Sequence, residues 1–212
     1  GQDTREVKEP VIPAACVKLE ARIATQAGET LKESDEATED TARIQEAIDK
    51  CGPGKAVELA TEKGKNAFLS GPLTLAEGVT LLVDKGVTLF ASRKAADFDV
   101  SGPGTCGTMP AKGRCKPFLT IRAKNTAIMG DGVINGRGGA KLLDKDTSWW
   151  ALAVAAEPHN TPYSDPRLVD ASGADGFTLY RITLHDSPNF HVGVSRTDGF
   201  TVWGVHLKTP LH

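Results

Sequence analysis

Apolar residues in this chain come in short runs. Ala56-Val57-Glu58-Leu59, Ala67-Phe68-Leu69-Ser70, Val79-Thr80-Leu81-Leu82-Val83 and Val87-Thr88-Leu89-Phe90 follow one another with Gly, Pro or Asp-Lys-Gly between them. β-Branched and aromatic residues bounded by turn formers predict strands. More strands are expected at Phe118-Leu119-Thr120-Ile121, Ala127-Ile128-Met129, Val133-Ile134 and Leu168-Val169. One segment has the other period. Ile44, Ala47, Ile48 and Cys51 recur at i, i+3, i+4 and i+7, and Gly52-Pro53-Gly54 ends the pattern, so a helix is expected over 40–51, with Asp40 or Thr41 capping its first turn.

The C-terminal part repeats itself. Asp175-Gly176-Phe177-Thr178-Leu179-Tyr180 returns 23 residues later as Asp198-Gly199-Phe200-Thr201-Val202-Trp203, and Ile182-Thr183-Leu184 as Val205-His206-Leu207. A β-rich repeat of this length suits a solenoid of strands joined by tight turns. The expected fold is all-β, a single parallel β-helix domain over 1–212. In it residues 1–37 are an extended arm, 40–51 a capping helix over the first coil, and 56–212 the coils, interrupted by loops at 93–117 and 137–166. A second helix is expected within 141–156, anchored by Trp149-Trp150. The aspartates of the repeated Asp-Gly pairs, with Asp84 and Asp131, read as turn formers.

Composition changes little. The chain has 212 residues, 25% of them charged, and a net charge of −2. No basic field suggests nucleic acid or an anionic membrane, so neither is expected as a partner. An anionic substrate would need a local cluster of Lys and Arg. The four cysteines, Cys16, Cys51, Cys106 and Cys115, allow three pairings. A Cys106–Cys115 bridge would close a short Gly- and Pro-rich loop and leave Cys16–Cys51 to tie down the arm. Two disulfides imply an oxidising, extracellular compartment; four free thiols are the alternative. No cysteine spacing suits zinc, and neither cofactor nor metal is expected.

Several stretches together resemble the polygalacturonases of glycoside hydrolase family 28, the bacterial pectin-degrading endo-enzymes in particular. They are Ser70-Gly71-Pro72-Leu73, Gly78 to Leu89, Asp131 to Gly139, Ser148-Trp149-Trp150 and Ser187-Pro188-Asn189-Phe190-His191-Val192. The resemblance implies a right-handed β-helix, secretion, and hydrolysis of α-1,4-galacturonan (pectin) with inversion. That chemistry needs a carboxylic acid and a carboxylate facing each other across one cleft. In the family these come from an Asn-Thr-Asp motif, expected just after a segment like Lys208-Thr209-Pro210, and from an Asp-Asp pair; Gly-His-Gly and Arg-x-Lys motifs follow. Asn-Thr-Asp, Asp-Asp and Gly-His-Gly are absent from these residues, and so is Arg-Ile-Lys. No catalytic residue is therefore assigned, and the 212-residue chain alone is expected to be inactive. Its open last coil is expected to pair with the rest of the β-helix or with another copy.

Substrate-binding candidates are Asn189, His191 and Arg167. Alternation in Asn189 to Val194 is expected to turn Phe190, Val192 and Val194 inward and Asn189 and His191 outward, one coil below the family's first catalytic aspartate. Arg167 has the planar fork that suits a carboxylate. His185 and His206 are expected to face solvent. The competing readings are a non-catalytic β-helical carbohydrate-binding or adhesin-like protein and a pectate lyase, which would need a calcium-binding carboxylate cluster.

Overall fold

The computed structural model describes residues 4–27 and 30–210; the two ends of the chain expected from the sequence, 1–3 and 211–212, lie outside the described residues. Strand β1 (Ala15–Glu20) precedes helix α1 (Thr41–Lys50). The first complete coil is β2 (Ala56–Ala60), β3 (Ala67–Ser70) and β4 (Leu73–Leu75). β5 (Thr80–Val83), β6 (Thr88–Ala91) and β7 (Leu119–Ile121) make the second. The third is β8 (Ala127–Met129), β9 (Val133–Asn135) and β10 (Val169–Ser172), with helix α2 (Trp149–Ala156) inserted before its last strand. β11 (Thr178–Tyr180), β12 (Thr183–His185) and β13 (Val192–Ser195) form the fourth, and β14 (Thr201–Trp203) and β15 (His206–Lys208) begin a fifth. Like strands stack into three sheets, β1-β2-β5-β8-β11-β14, β3-β6-β9-β12-β15 and β4-β7-β10-β13. Every pairing within them is parallel.

The interior is built from ladders of one residue per coil. Val57, Leu81, Ile128, Leu179 and Val202 align on the first sheet. Phe68, Leu89, Ile134, Leu184 and Leu207 align on the second. All but the last member of each are buried. Each such aliphatic side chain contributes roughly 1.5–3 kcal/mol by leaving water. The 23-residue repeat is the length of an uninterrupted coil: Phe177 stacks on Phe200 with ring centroids 5.5 Å apart, and Tyr180 pairs with Trp203.

Helix α1 closes one end, with Ile44 and Ile48 fully buried. Asp40 does not cap it. Its Oδ2 accepts the Leu69 N–H and its Oδ1 accepts from Arg43, while the Thr41 hydroxyl oxygen accepts the Gly71 N–H. Gln45 does more: its amide oxygen accepts the Thr74 N–H and its amide nitrogen donates to the Thr74 carbonyl, both at 2.9 Å. One side chain thus takes the place of a neighbouring strand on the free edge of β4.

The reading of residues 1–37 as an arm needs correction. Residues 4–14 are extended and run back along the first sheet, where Arg5 donates to the Phe200 carbonyl and Glu9 accepts from the Tyr180 hydroxyl. Ala15–Glu20, however, is β1, paired in parallel with β2, and Glu33–Ala37 is a 3-10 turn. The strand was missed because its partner is some forty residues away and supplies the hydrogen bonds that β1 cannot make alone. Cys16 is bonded to Cys51 and Cys106 to Cys115. The first bridge ties β1 to the end of α1; the second closes a turn inside the long loop before β7. In the other loop, Trp149 is buried at the start of α2 with its ring 6.0 Å from that of Phe98, and the Trp150 Nε1 donates to the Ser187 carbonyl.

Candidate active-site groove

The third sheet carries a groove. Along β4, β7, β10 and β13 the inward ladders are Leu73-Leu119-Val169-Val192 and Leu75-Ile121-Ala171-Val194. Strand alternation therefore turns the residues between them, Thr74, Thr120, Asp170 and Gly193, outward in one row. The loop before β7 forms one wall and the segment before β10 the other. They enclose about 580 Å³ over Thr120 and Asp170.

Four cations line this space, Arg114, Lys116, Arg122 and Arg167, against two carboxylates, Asp165 and Asp170. The chain as a whole is net negative, so the positive charge is local. Asp170 organises two of the cations. Its Oδ2 accepts from Arg122 at 2.5 Å and its Oδ1 from Arg167 at 2.8 Å. Burial works against its charge, but the two guanidinium groups outweigh that and hold its carboxyl below the usual carboxylate range. Arg122 also donates to the backbone carbonyls of Asp170 and Ile121. Gly193 leaves room for this arrangement: a Cβ there would lie 3.2 Å from Arg167 Nη1 and 3.3 Å from Asp170 Oδ1.

Asp165 has the opposite character. Burial pushes its carboxyl up to about 6. One oxygen accepts from Asn189 Nδ2 at 2.6 Å, and the other is buried without a partner. Its charge, together with burial, raises the neighbouring Tyr163 phenol. Environments that push two nearby carboxyls apart are common where proton chemistry or charge recognition occurs.

Of the sequence candidates, Arg167 and Asn189 line the groove. The Asn189 amide is largely spent, donating to Asp165 and accepting the Phe190 N–H. Arg167 pairs with Asp170 and lies over the Phe190 ring, 5.8 Å from its centroid. His191 is not among the lining residues. It sits half-buried by the corner where β12 meets the third sheet, burial lowers its pKa, and its Nε2 is buried without a partner. His185 is half-buried too, 3.4 Å from Asp186, whose carboxyl is pushed up by burial. Phe190 corrects the alternation: it is 65% exposed, because Ser187 to His191 form a turn and regular alternation starts only at Val192. Arg114, Lys116, Arg122, Asp165 and Asp170 were missed. The one signal available for Asp170 was its place beside Leu168-Val169, a polar residue alternating with apolar ones.

The three stacked parallel sheets define a parallel β-helix, here with a cationic groove on one of them. The fold is the right-handed form shared with the pectin-degrading polygalacturonases. The profile of the glycosyl hydrolases family 28 matches residues 51–212, and the chain belongs to that family. It is 42% identical over 212 residues to an endo-polygalacturonase of Pectobacterium carotovorum subsp. carotovorum, covering 99% of this chain and 49% of that protein. It is 41% identical to a polygalacturonase of Ralstonia nicotianae, covering 96% and 41%. The solved polygalacturonase from Erwinia carotovora ssp. carotovora superposes with a TM-score of 0.88 at 41% identity, over 99% of this chain and 52% of that one. The chain thus spans about half the length of the curated relatives it matches.

Proposed function

We propose that this chain supplies the substrate-binding part of a secreted polygalacturonase, an enzyme hydrolysing α-1,4-linked galacturonan by inverting acid–base catalysis. The observation that carries the reading is the groove with Arg114, Lys116, Arg122 and Arg167 on an otherwise acidic chain. A polyuronate presents one carboxylate per sugar, and planar guanidinium groups bind carboxylates in two-pronged fashion. Asp170 keeps Arg122 and Arg167 extended over the floor, which reduces the conformational freedom lost on binding. The identity to endo-polygalacturonases supports the substrate class, and the two disulfides fit an extracellular setting. Within these residues Asp170 is a poor general base, since its charge is committed to two arginines, and we assign it to orienting those side chains.

Titration calorimetry with oligogalacturonides tests the reading. Arg122→Ala should weaken binding about tenfold, ~1.4 kcal/mol, and a neutral oligosaccharide of equal length should not bind. Equal affinity for the neutral chain, or an Arg122→Ala variant that binds like the unaltered protein, would overturn it.

A further inference from the structure

The floor of the groove stops at β4, where Gln45 occupies the strand edge. Beside that stop lies a second cavity of about 440 Å³ over Thr74 and Thr120. It shares Thr120 and Lys116 with the main groove, so a chain lying along the floor passes from one space into the other. Its far side is lined by Glu39, just ahead of α1, and Asp97, in the 3-10 turn Ala95–Phe98.

These two carboxyl groups converge on one hydroxyl, that of Ser92. That hydroxyl lies 2.5 Å from Asp97 Oδ2 and 3.2 Å from Glu39 Oε1, and with one hydrogen to give it bonds both only when one of the two carboxyls carries a proton. Thr41 donates to the other Glu39 oxygen. The charged groups around the pair are few. Lys94 Nζ is 3.5 Å from Glu39, and Lys116 faces the pair across the cavity. Asp40 is committed to Arg43 and the Leu69 N–H, and Asp144 to the N–H groups of Ala95 and Ala96.

We propose that Glu39 and Asp97 determine how far a uronate chain can extend at this end of the groove. With one proton shared between them, Lys94 balances the remaining charge and Lys116 is free to hold a further uronate. Without it, the second carboxylate repels that uronate and the chain must end one sugar earlier. Burial and the neighbouring Glu39 push the Asp97 carboxyl up to about 6. Burial also opposes the charge on Glu39, but its polar neighbours, Asp97, Thr41, Lys94 and Ser92, hold it below its ordinary value. The pair therefore loses its shared proton near pH 6, and the number of sugars bound falls by one as pH rises through that value. The inference rests on the groove taking a polyuronate.

The test is the affinity of the 212-residue chain for oligogalacturonides of increasing length, at pH 5 and pH 7.5 and constant ionic strength. Affinity should keep rising for one sugar more at pH 5 than at pH 7.5. Asp97→Asn should restore the longer limit at pH 7.5, with about a tenfold gain for the longest oligomers and none for the shortest. Glu39→Gln should act alike and serves if Asp97→Asn does not fold. A length limit that is the same at both pH values, or that still moves with pH in the neutralised variants, overturns the inference and leaves the groove assignment standing. Absence of oligogalacturonide binding at every length and pH overturns both.

Discussion

Arg137 clasps Glu36 across 101 residues of sequence, with both guanidinium Nη atoms on the two carboxylate oxygens. Glu36 is 3% exposed on its side chain and Arg137 10%. The Arg137 guanidinium lies 5.5 Å from the centre of the Phe90 ring, and Arg93 reaches the same carboxylate at 3.4 Å. The 3-10 turn that carries Glu36 is thereby fastened to the outer face of the second sheet. Removing Arg137 leaves the buried Glu36 carboxylate with only the longer contact to Arg93. Arg137→Ala should destabilise the protein by about 3–5 kcal/mol, and replacing both residues by apolar ones of similar size should recover much of it. Urea denaturation of the single and double variants measures both.

The two bridges should contribute unequally. Cys16–Cys51 spans 35 residues and Cys106–Cys115 spans 9. Each closes a loop in the unfolded chain and should add roughly 2–4 kcal/mol, the longer loop about 1 kcal/mol more. Pairwise replacement by serine, followed by thermal denaturation, gives the comparison. A larger loss from the shorter loop would mean that native contacts in the long loop before β7, rather than chain entropy, depend on the bridge.

Asp165 should make stability depend on pH in a direction opposite to most carboxylates. Its folded-state pKa is raised to about 6, chiefly by burial. The neutral form is the one the fold favours. The stabilisation is fully present below the unfolded pKa, near 4, and is lost as pH rises through 6. Asp165→Asn keeps a neutral side chain at all pH values. It should melt a few degrees above the unaltered protein at pH 8 and close to it at pH 4. Equal melting temperatures at pH 8 would mean that Asp165 ionises at little cost.

Galacturonan binding and hydrolysis should separate in this chain. None of the Asn-Thr-Asp, Asp-Asp, Gly-His-Gly or Arg-Ile-Lys motifs occurs in it, and the groove carboxylates are engaged with Arg122, Arg167 and Asn189. Incubation with polygalacturonate should release no reducing ends, while the same preparation binds oligogalacturonides. Sustained release by a homogeneous sample would make Asp165 and Asp170 the first residues to replace.

The last two coils were legible in the sequence because nothing interrupts them. Their offset is constant, so Leu179 and Val202 or Leu184 and Leu207 can be matched by eye. The helix α1 was legible for a similar reason: its apolar face lies within ten consecutive residues. The groove was not. Thr74, Thr120 and Asp170 are adjacent on the sheet, but loops of unequal length separate them along the chain, so no fixed spacing announces the row. Arg114 and Lys116 sit in the cysteine-bearing loop and gain meaning only when it folds over β7. Phe190 failed differently. It lies in a turn, where the Ser187 hydroxyl donates to the Phe190 carbonyl, and strand alternation does not hold there.

A stack of parallel coils has two faces onto which more β-structure can in principle be laid, and a protein with two such faces would be a monomer only by luck. Gln45 removes that ambiguity at one of them. By answering both backbone groups of Thr74 with a single amide, it occupies the middle of that edge of the third sheet. The molecule therefore has a direction: on the α1 side, a further strand meets Gln45 instead of the backbone of Thr74, so the third sheet is disfavoured from growing at that position.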